Sequence, residues 1–462
     1  MTMGARIGRP LASRAFLLLL LLVTPPAMAQ VPPDEEIRRI IADRIDVYRR
    51  SVGMVVGVIE PGGTRIVAHG RTSSTDALTP DGDTLFEVAS ITKVFTSLLL
   101  AEMARRGEVA LDDPVAAYLP SEAKVPERGR AITLRDLSTH VSGLPRFIED
   151  FEPRDDRNPY EDVTIDRLYA FLASHALRRE VGTKYEYSNL GAALLGQALA
   201  LKAGGDYEDV LRQRVLDPLS LSSTRVTLTA EMRSRLAPGH TEMLAQTSGW
   251  DQPIKGAGAL HSSAKDLLSL LAVALGYRDS SLAPAIDDML QPANRIGPVP
   301  RALGWQTFTR SGREIVWHNG SSGGYRTFIG LVRSQRIGIV VLSNAVNSIE
   351  DIGFHLLDAT WSLLRLKPPE ERKSVDVAPE ILQRYVGRYE FMSSVAHVDI
   401  QDGRLFIRLP WRQPIELFAV NQRSFFARES WREFSFVVTS NGTVIAMQTR
   451  LPDQTIVGAR LD

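Results

Sequence analysis

The spacing of hydrophobic positions divides the chain into strand-like ends and a helical middle. GMVVGVIEPGG (53–63) and TRIVAHG (64–70) alternate around a Pro-Gly turn and predict two strands. Before them, residues 36–50 are charged with a helical period. SITKVFTSLLLAEMARRG (90–107) is apolar nearly all round, which predicts a buried helix ended by Gly107. A helical period then dominates to about residue 275, in TIDRLYAFLASHAL, NLGAALLGQALALKAGG, DYEDVLRQRVL and SAKDLLSLLAVALG. REIVWHNG, YRTFIGLVRS and RIGIVVLSN return to strands within 313–345, and a last helix is expected over about 349–366.

Strands at both ends of this region, with helices between them, exclude a simple βαβ series. The predicted class is α/β (α+β): one antiparallel sheet shared by N- and C-terminal strands, flanked by helices, with an all-helical insertion beside it. LKPPEERKSVDVAPE is charged and bears prolines, so 367–380 reads as a linker. Beyond it, VAHVDIQDGRLFIRLP and SFVVTSNGTVIAMQTRL alternate around Asp402-Gly403 and Asn441-Gly442, two hairpin signatures. Residues 381–462 therefore read as a small antiparallel β-domain, barrel-like in its spacing.

The first 29 residues have a different pattern. Arg6, Arg9 and Arg14 precede the run AFLLLLLLV (15–23), and Ala27 and Ala29 follow in an A-x-A arrangement. This describes a secretory signal peptide over 1–29, with a periplasmic or secreted mature chain. The run is short for a membrane span, which needs ~20 apolar residues. The mature chain is thus expected to carry no integral membrane span. The chain has 462 residues and no cysteine, so no disulfide or lipid-acceptor thiol is available. Its 54 lysines and arginines balance 54 aspartates and glutamates, which argues against nucleic acid as a partner.

Candidate chemistry starts from S-x-x-K, which places a hydroxyl and an ammonium on one helical face. It occurs three times: Ser90–Lys93, Ser121–Lys124 and Ser262–Lys265. Ser121 lies in a proline-flanked loop. Ser262 looks like the N-cap of the helix that follows it. Ser90 begins a long apolar helix after a strand-like segment, where free backbone N–H groups can stabilise an oxyanion. Lys93 sits in apolar company, and desolvation favours its neutral, basic form. A capped core helix with a solvent-reaching lysine explains the same residues. A rival nucleophile is Ser322 in Gly320-Ser321-Ser322-Gly323-Gly324, with His355 and His397 as partners. That motif needs a helix after the serine. YRTFIGLV predicts a strand instead.

Two more sites favour Ser90. Tyr187-Ser188-Asn189 lies just before a helix, and His318-Asn319-Gly320 ends a strand. With Ser90-Ile91-Thr92-Lys93, these resemble the three motifs of the penicillin-recognising serine hydrolases, in the order of the class C β-lactamase branch with its D,D-peptidases, D-aminopeptidases and esterases. ITLRDLSTHVSGLP (132–145), GAGALHSSAKDLLSLL (256–271) and GGYRTFIGLV (323–332) read like the same family. The resemblance covers about residues 36–366, placing a hydrolase domain at 30–366 with the β-lactamase/transpeptidase-like fold. The C-terminal part is similar to lipocalin-like domains attached to some members.

The resemblance implies roles. Ser90 attacks an amide, lactam or ester carbonyl, and Lys93 and Tyr187 together form the base. Asn189 holds Lys93 or the substrate amide. The N–H groups of Ser90 and Ser321, the latter following Gly320, form the oxyanion hole. His318 binds near a substrate carboxylate or assists Tyr187. His140 is expected to be structural. No metal or other cofactor is implied. The third motif is His-Asn-Gly here, where class C β-lactamases carry Lys-Thr-Gly. The implied substrates are small molecules or peptidoglycan-derived peptides, with D-amino peptides and esters favoured over lactams. Turnover of small esters, or a retained fold that binds without turnover, are the alternatives.

Overall fold

In a computed structural model, the described residues are 31–462 without 149, 150, 152, 156, 297, 298, 392, 393, 410–413, 429 and 451–454, together with 1, 2 and 4. The expected signal peptide lies outside the described residues. Among these residues, no helix is long and apolar enough to cross a membrane.

The strands at the two ends of residues 30–366 do share one sheet. Its six antiparallel strands run in the order Gly63–Gly70, Gly53–Glu60, Ile337–Ser343, Arg326–Val332, Arg313–Ser321, Gln306–Arg310. Strand Gly53–Glu60 pairs with Ile337–Ser343, partners 279 to 289 residues apart in sequence (for example Val56 with Val341). Alternation explains the layers. Val55 and Ile59 face the helical block with Val340 and Leu342. Met54, Val56 and Val58 face the other side with Ile339 and Val341. Each strand thus feeds two cores. The second core is covered by the helices Asp34–Ala42 and Glu350–Leu357. A buried Arg44–Asp351 ion pair at 2.6 Å ties the turn after the first of these helices to the second.

Two boundaries differ from the sequence reading. The last helix ends at Leu357, not near 366. Asp358 takes Thr360 N–H and Oγ1 at 3.0 and 2.9 Å, and His355 Nδ1–H donates to Trp361 O, so local side chains break the helix. Ser263, not Ser262, caps the helix Ala264–Ala274, accepting from Asp266 N. Ser262 lies in a short strand and bonds Thr224 Oγ1 at 2.8 Å.

The C-terminal region is a closed eight-stranded barrel spanning Gly387–Phe391 to Thr455–Arg460. Asp402 (φ 49°) and Gly403 (φ 76°) form the first expected hairpin turn, as Asp-Gly permits. Side chains fill the barrel interior. Tyr385 stacks on Phe436 at 4.1 Å, and Tyr389, Phe425 and Met447 complete the filling. The barrel also docks on residues 30–366: Glu242 accepts from Ser430 Oγ and Trp431 N, at 2.9 and 3.1 Å. The guanidinium of Arg50 lies 3.9 Å from the Trp431 ring.

Candidate active site

Ser90 sits in a 3-10 turn, Ala89–Ile91, that leads directly into the helix Thr92–Arg105. Ala89 adopts φ 46°, a left-handed conformation that non-glycine residues enter at a cost of roughly 1 kcal/mol. Such strain persists only where surrounding structure holds it, and here the next residue is the nucleophile candidate. Lys93 is one turn on and 2% exposed. Its Nζ lies 3.0 Å from Ser90 Oγ and 2.6 Å from Ala257 O. The Gly256-Ala257 backbone reaches Lys93 because Gly256 and Gly196 pack face to face. A Cβ on either would stand about 2.8–2.9 Å from the other's Cα. Burial, then the charge of Arg146, pushes the Lys93 amine well below its ordinary range.

Tyr187 completes the group. It precedes Ser188, the N-cap of the helix Asn189–Ala203, so a capped helix end presents the phenol to Ser90. Burial drives the Tyr187 hydroxyl upward, so it stays a phenol. Its ring lies 5.0 Å from Lys93 Nζ. His140 holds this loop. Its Nδ1 accepts the Ser188 N–H at 3.2 Å, and its ring packs 4.4 Å from that of Tyr187. The structural role expected for His140 is the one it has.

The third motif closes the other side. Gly320 is required by contact: a Cβ there would fall 2.2 Å from Val88 O and 2.3 Å from Thr327 Oγ1. The strand carrying Ser321 therefore lies directly against the turn carrying Ser90. Asn319 turns away to Glu350 at 2.6 Å, and Arg326 shares that carboxylate. His318 is 1% exposed, with its ring 6.3 Å from that of Tyr187. Its Nδ1 is 2.8 Å from Asn319 O, which can only accept, so Nδ1 carries the proton. Burial first, then Lys93, lowers His318 to about 3. His318 is therefore neutral at neutral pH and offers no cation to a substrate carboxylate.

Asn189 differs from expectation in part. It does not hold Lys93: its Nδ2 donates to Tyr160 at 3.3 Å, and its buried Oδ1 has no hydrogen-bond partner. An unsatisfied buried acceptor two residues from Tyr187 suits a substrate N–H. The other S-x-x-K serines are remote from such a cluster. Lys265 pairs with Asp83 at the surface. Ser322 is buried and followed by the strand Arg326–Val332, so the elbow reading fails. His355 packs against Trp361 and His397 lies in the barrel strand Ser394–Gln401.

Sequence reasoning missed three neighbours. Arg146 follows the SGLP turn and places its guanidinium 5.1 Å from the Tyr187 ring. Arg301 lies 4.0 Å from the Tyr185 ring. Glu87, three residues before Ser90, is 7% exposed and faces Ser322. Only its position beside the motif could have signalled it. Burial raises the Glu87 carboxyl to about 7. The unfolded chain loses this proton near 4.5, so the folded state loses stability as pH rises from there to about 7 and is constant above. Glu87→Gln is expected to stabilise the protein by about 3 kcal/mol at pH 8 and little at pH 4. Thermal unfolding at the two pH values checks this, and an equal gain at both would contradict it.

Comparison with known proteins agrees with this geometry. The Beta-lactamase family model matches residues 37–356. The chain is 28% identical over 345 residues to the D-alanyl-D-alanine-carboxypeptidase/endopeptidase AmpH of Escherichia coli, covering 71% of this chain and 89% of that protein. A class C beta lactamase from Rhodobacter sphaeroides superposes with TM-score 0.60 at 26% identity, over 71% of this chain and 99% of its own. The octameric penicillin-binding protein homologue from Pyrococcus abyssi shares the fold over 92% of this chain and 99% of its own, with TM-score 0.61 at 21% identity. The chain belongs to the beta-lactamase family, as a serine hydrolase related to D-Ala-D-Ala carboxypeptidases and class C β-lactamases.

Proposed function

We propose that the chain hydrolyses D-amino peptides and related amides or esters through an acyl-enzyme on Ser90. The observation that carries this is the Lys93 amine, buried and 3.0 Å from Ser90 Oγ. A desolvated, neutral amine takes the Ser90 proton as Oγ attacks the carbonyl carbon. The N–H groups of Ser90 and Ser321 receive the developing oxyanion. Tyr187, kept a phenol by its burial, passes a proton to the leaving nitrogen or oxygen and is re-protonated through Lys93. The same pair then activates water against the ester. The roles are shared, since coupled groups titrate as one unit. Asn189 Oδ1 accepts an N–H from the acyl part of the substrate. His318, neutral and proton-bearing at Nδ1, shapes the leaving-group side without a fixed charge. This favours D-amino peptides and simple esters over β-lactam turnover. The charged and apolar pattern of residues 1–29 supports export to a periplasm or beyond the cell. Residues 30–366 form the hydrolase part, 367–380 a linker and 381–462 a separate β-domain.

The test is labelling with a fluorophosphonate and with a fluorescent penicillin, followed by peptide mapping. One adduct is expected, on Ser90 within 85–100. An adduct on Ser322, or labelling undiminished in Ser90→Ala, would overturn the assignment.

A further inference from the structure

The helix Thr92–Arg105 is buried along most of its length, yet it carries buried hydroxyls at Thr92, Thr96 and Ser97 that the reaction does not use. Ser97 is satisfied by Ser138 Oγ at 2.7 Å. The other two, with Lys93, hold a single segment. Thr92 Oγ1 accepts the Leu260 N–H at 3.1 Å, Lys93 Nζ reaches Ala257 O at 2.6 Å, and Thr96 Oγ1 donates to Gly256 O at 2.7 Å. Thr96 Oγ1 also lies 2.6 Å from the buried hydroxyl of Tyr207. Donor counting orders this chain. A carbonyl only accepts, and among the described residues the Tyr207 hydroxyl hydrogen-bonds Thr96 alone. Tyr207 therefore donates to Thr96, and Thr96 passes its own proton to Gly256 O rather than to the more distant Thr92 O at 3.2 Å. Burial drives the Tyr207 hydroxyl upward, so it keeps the proton it donates. Tyr207 is itself anchored to the same segment. Asp206 caps the helix Tyr207–Leu211, and its carboxylate takes Lys255 Nζ at 2.8 and 3.0 Å.

We propose that Thr96 and Tyr207 are positioning residues for the acylation of Ser90, holding the Gly256-Ala257 backbone so that Ala257 O aims the Lys93 amine. This rests on the serine-hydrolase reading above. A neutral amine has two N–H donors and one lone pair. Donation to Ala257 O leaves the lone pair for Ser90 Oγ, 3.0 Å away, and a proton is taken only along a lone pair that faces it. Once the Ser90 proton has moved to Nζ, the same carbonyl accepts from the ammonium in a stronger, charge-assisted bond. Ala257 ends a 3-10 turn of three residues, Lys255–Ala257, and so short a turn does not fix its own carbonyls. Thr96 does this from outside. It stands one turn beyond Lys93, so the amine and the carbonyl that aims it are referenced to one rigid helix.

The test is the pH profile of Ser90 acylation by a fluorophosphonate in the full chain. Thr96→Val keeps the shape of the side chain and removes the hydroxyl. The plateau rate should fall at least ~10-fold, because the lone pair is misdirected. The acid limb should also move to lower pH, because the ammonium loses an acceptor and the amine becomes harder to protonate. Loss of folded protein alone lowers the plateau and leaves the limb in place. Arg146, Tyr187, His140 and His318, the titratable groups that face Lys93, are unchanged in the variant, so a moved limb reports the carbonyl. Thr96→Ser keeps the hydroxyl and should stay within about threefold of the parent. Tyr207→Phe should show the same two signs with a smaller fall of ~3-fold, and little more when added to Thr96→Val, since it acts through that hydroxyl. Thermal unfolding confines the comparison to pH values at which each variant is folded, and Tyr207→Phe reads the same two quantities if Thr96→Val does not fold. A plateau within about twofold of the parent, a limb that stays in place, or Thr96→Ser as slow as Thr96→Val would overturn the proposal. Failure of the serine-hydrolase reading registers elsewhere, as absent labelling of Ser90 in the parent chain.

Discussion

Lys93→Met should lower the rate of Ser90 acylation by at least ~10³-fold while making the folded protein more stable at neutral pH. Both effects have one cause. Lys93 is buried, and among the described residues its Nζ hydrogen-bonds Ser90 Oγ and Ala257 O. Burial depresses its pKa, so the unfolded chain binds a proton that the folded chain refuses. Below the unfolded lysine value the unfolded state is thereby favoured, and stability rises as pH rises toward that value. Methionine fills a similar volume without this cost. Acylation by the wild type should fade at acid pH, as the amine becomes protonated. Stopped-flow labelling with a fluorophosphonate gives the rate, and thermal unfolding at pH 7 gives the stability. Adding Tyr187→Phe should cost little more than the worse single change, because the two groups share one proton path. Full additivity, or a Met variant that is less stable at pH 7, would contradict this account.

Gly320→Ala should reduce kcat/KM for a nitrophenyl ester by at least ~10²-fold, the weight of a displaced oxyanion donor. The added methyl would overlap Val88 O and Thr327 Oγ1. Both are fixed: Val88 lies two residues before Ser90, and Thr327 Oγ1 bonds Val88 O at 3.2 Å. The strand must therefore move away from the Ser90 turn, carrying Ser321 with it. Overpacking of this kind costs roughly 1–3 kcal/mol, so a moderate fall in unfolding temperature should accompany the loss. Steady-state kinetics and thermal unfolding check the two parts. Activity within threefold of wild type would show that the strand does not set the oxyanion geometry.

Much of this was legible in the linear chain. Alternation in 53–70 and 313–345 fixed the strands, because a half-buried sheet face admits little else. The all-apolar run after Ser90 marked a buried helix, and Asp402-Gly403 marked a hairpin whose left-handed turn few other pairs adopt. Three short motifs named Ser90, Lys93, Tyr187, Asn189, His318, Gly320 and Ser321, and folding brings the segments that carry them together. Helix ends were less legible. Ser262 and Ser263 are equivalent by type and both pair in one short strand, and only their side-chain bonds tell them apart, Ser263 accepting from Asp266 N while Ser262 bonds Thr224. The protonation of His318 was not legible at all. Its charge depends on total burial beside Lys93, a property of packing between segments more than 220 residues apart. Arg146, Arg301 and Glu87 look like ordinary charged residues in sequence. Each gains meaning from its tertiary surroundings: an aromatic face for each arginine and exclusion of solvent for the glutamate. Local pattern determined the elements and the reactive residue types, since those depend on neighbours in the chain. Charge state was decided only by the fold, since desolvation and electrostatics act through space.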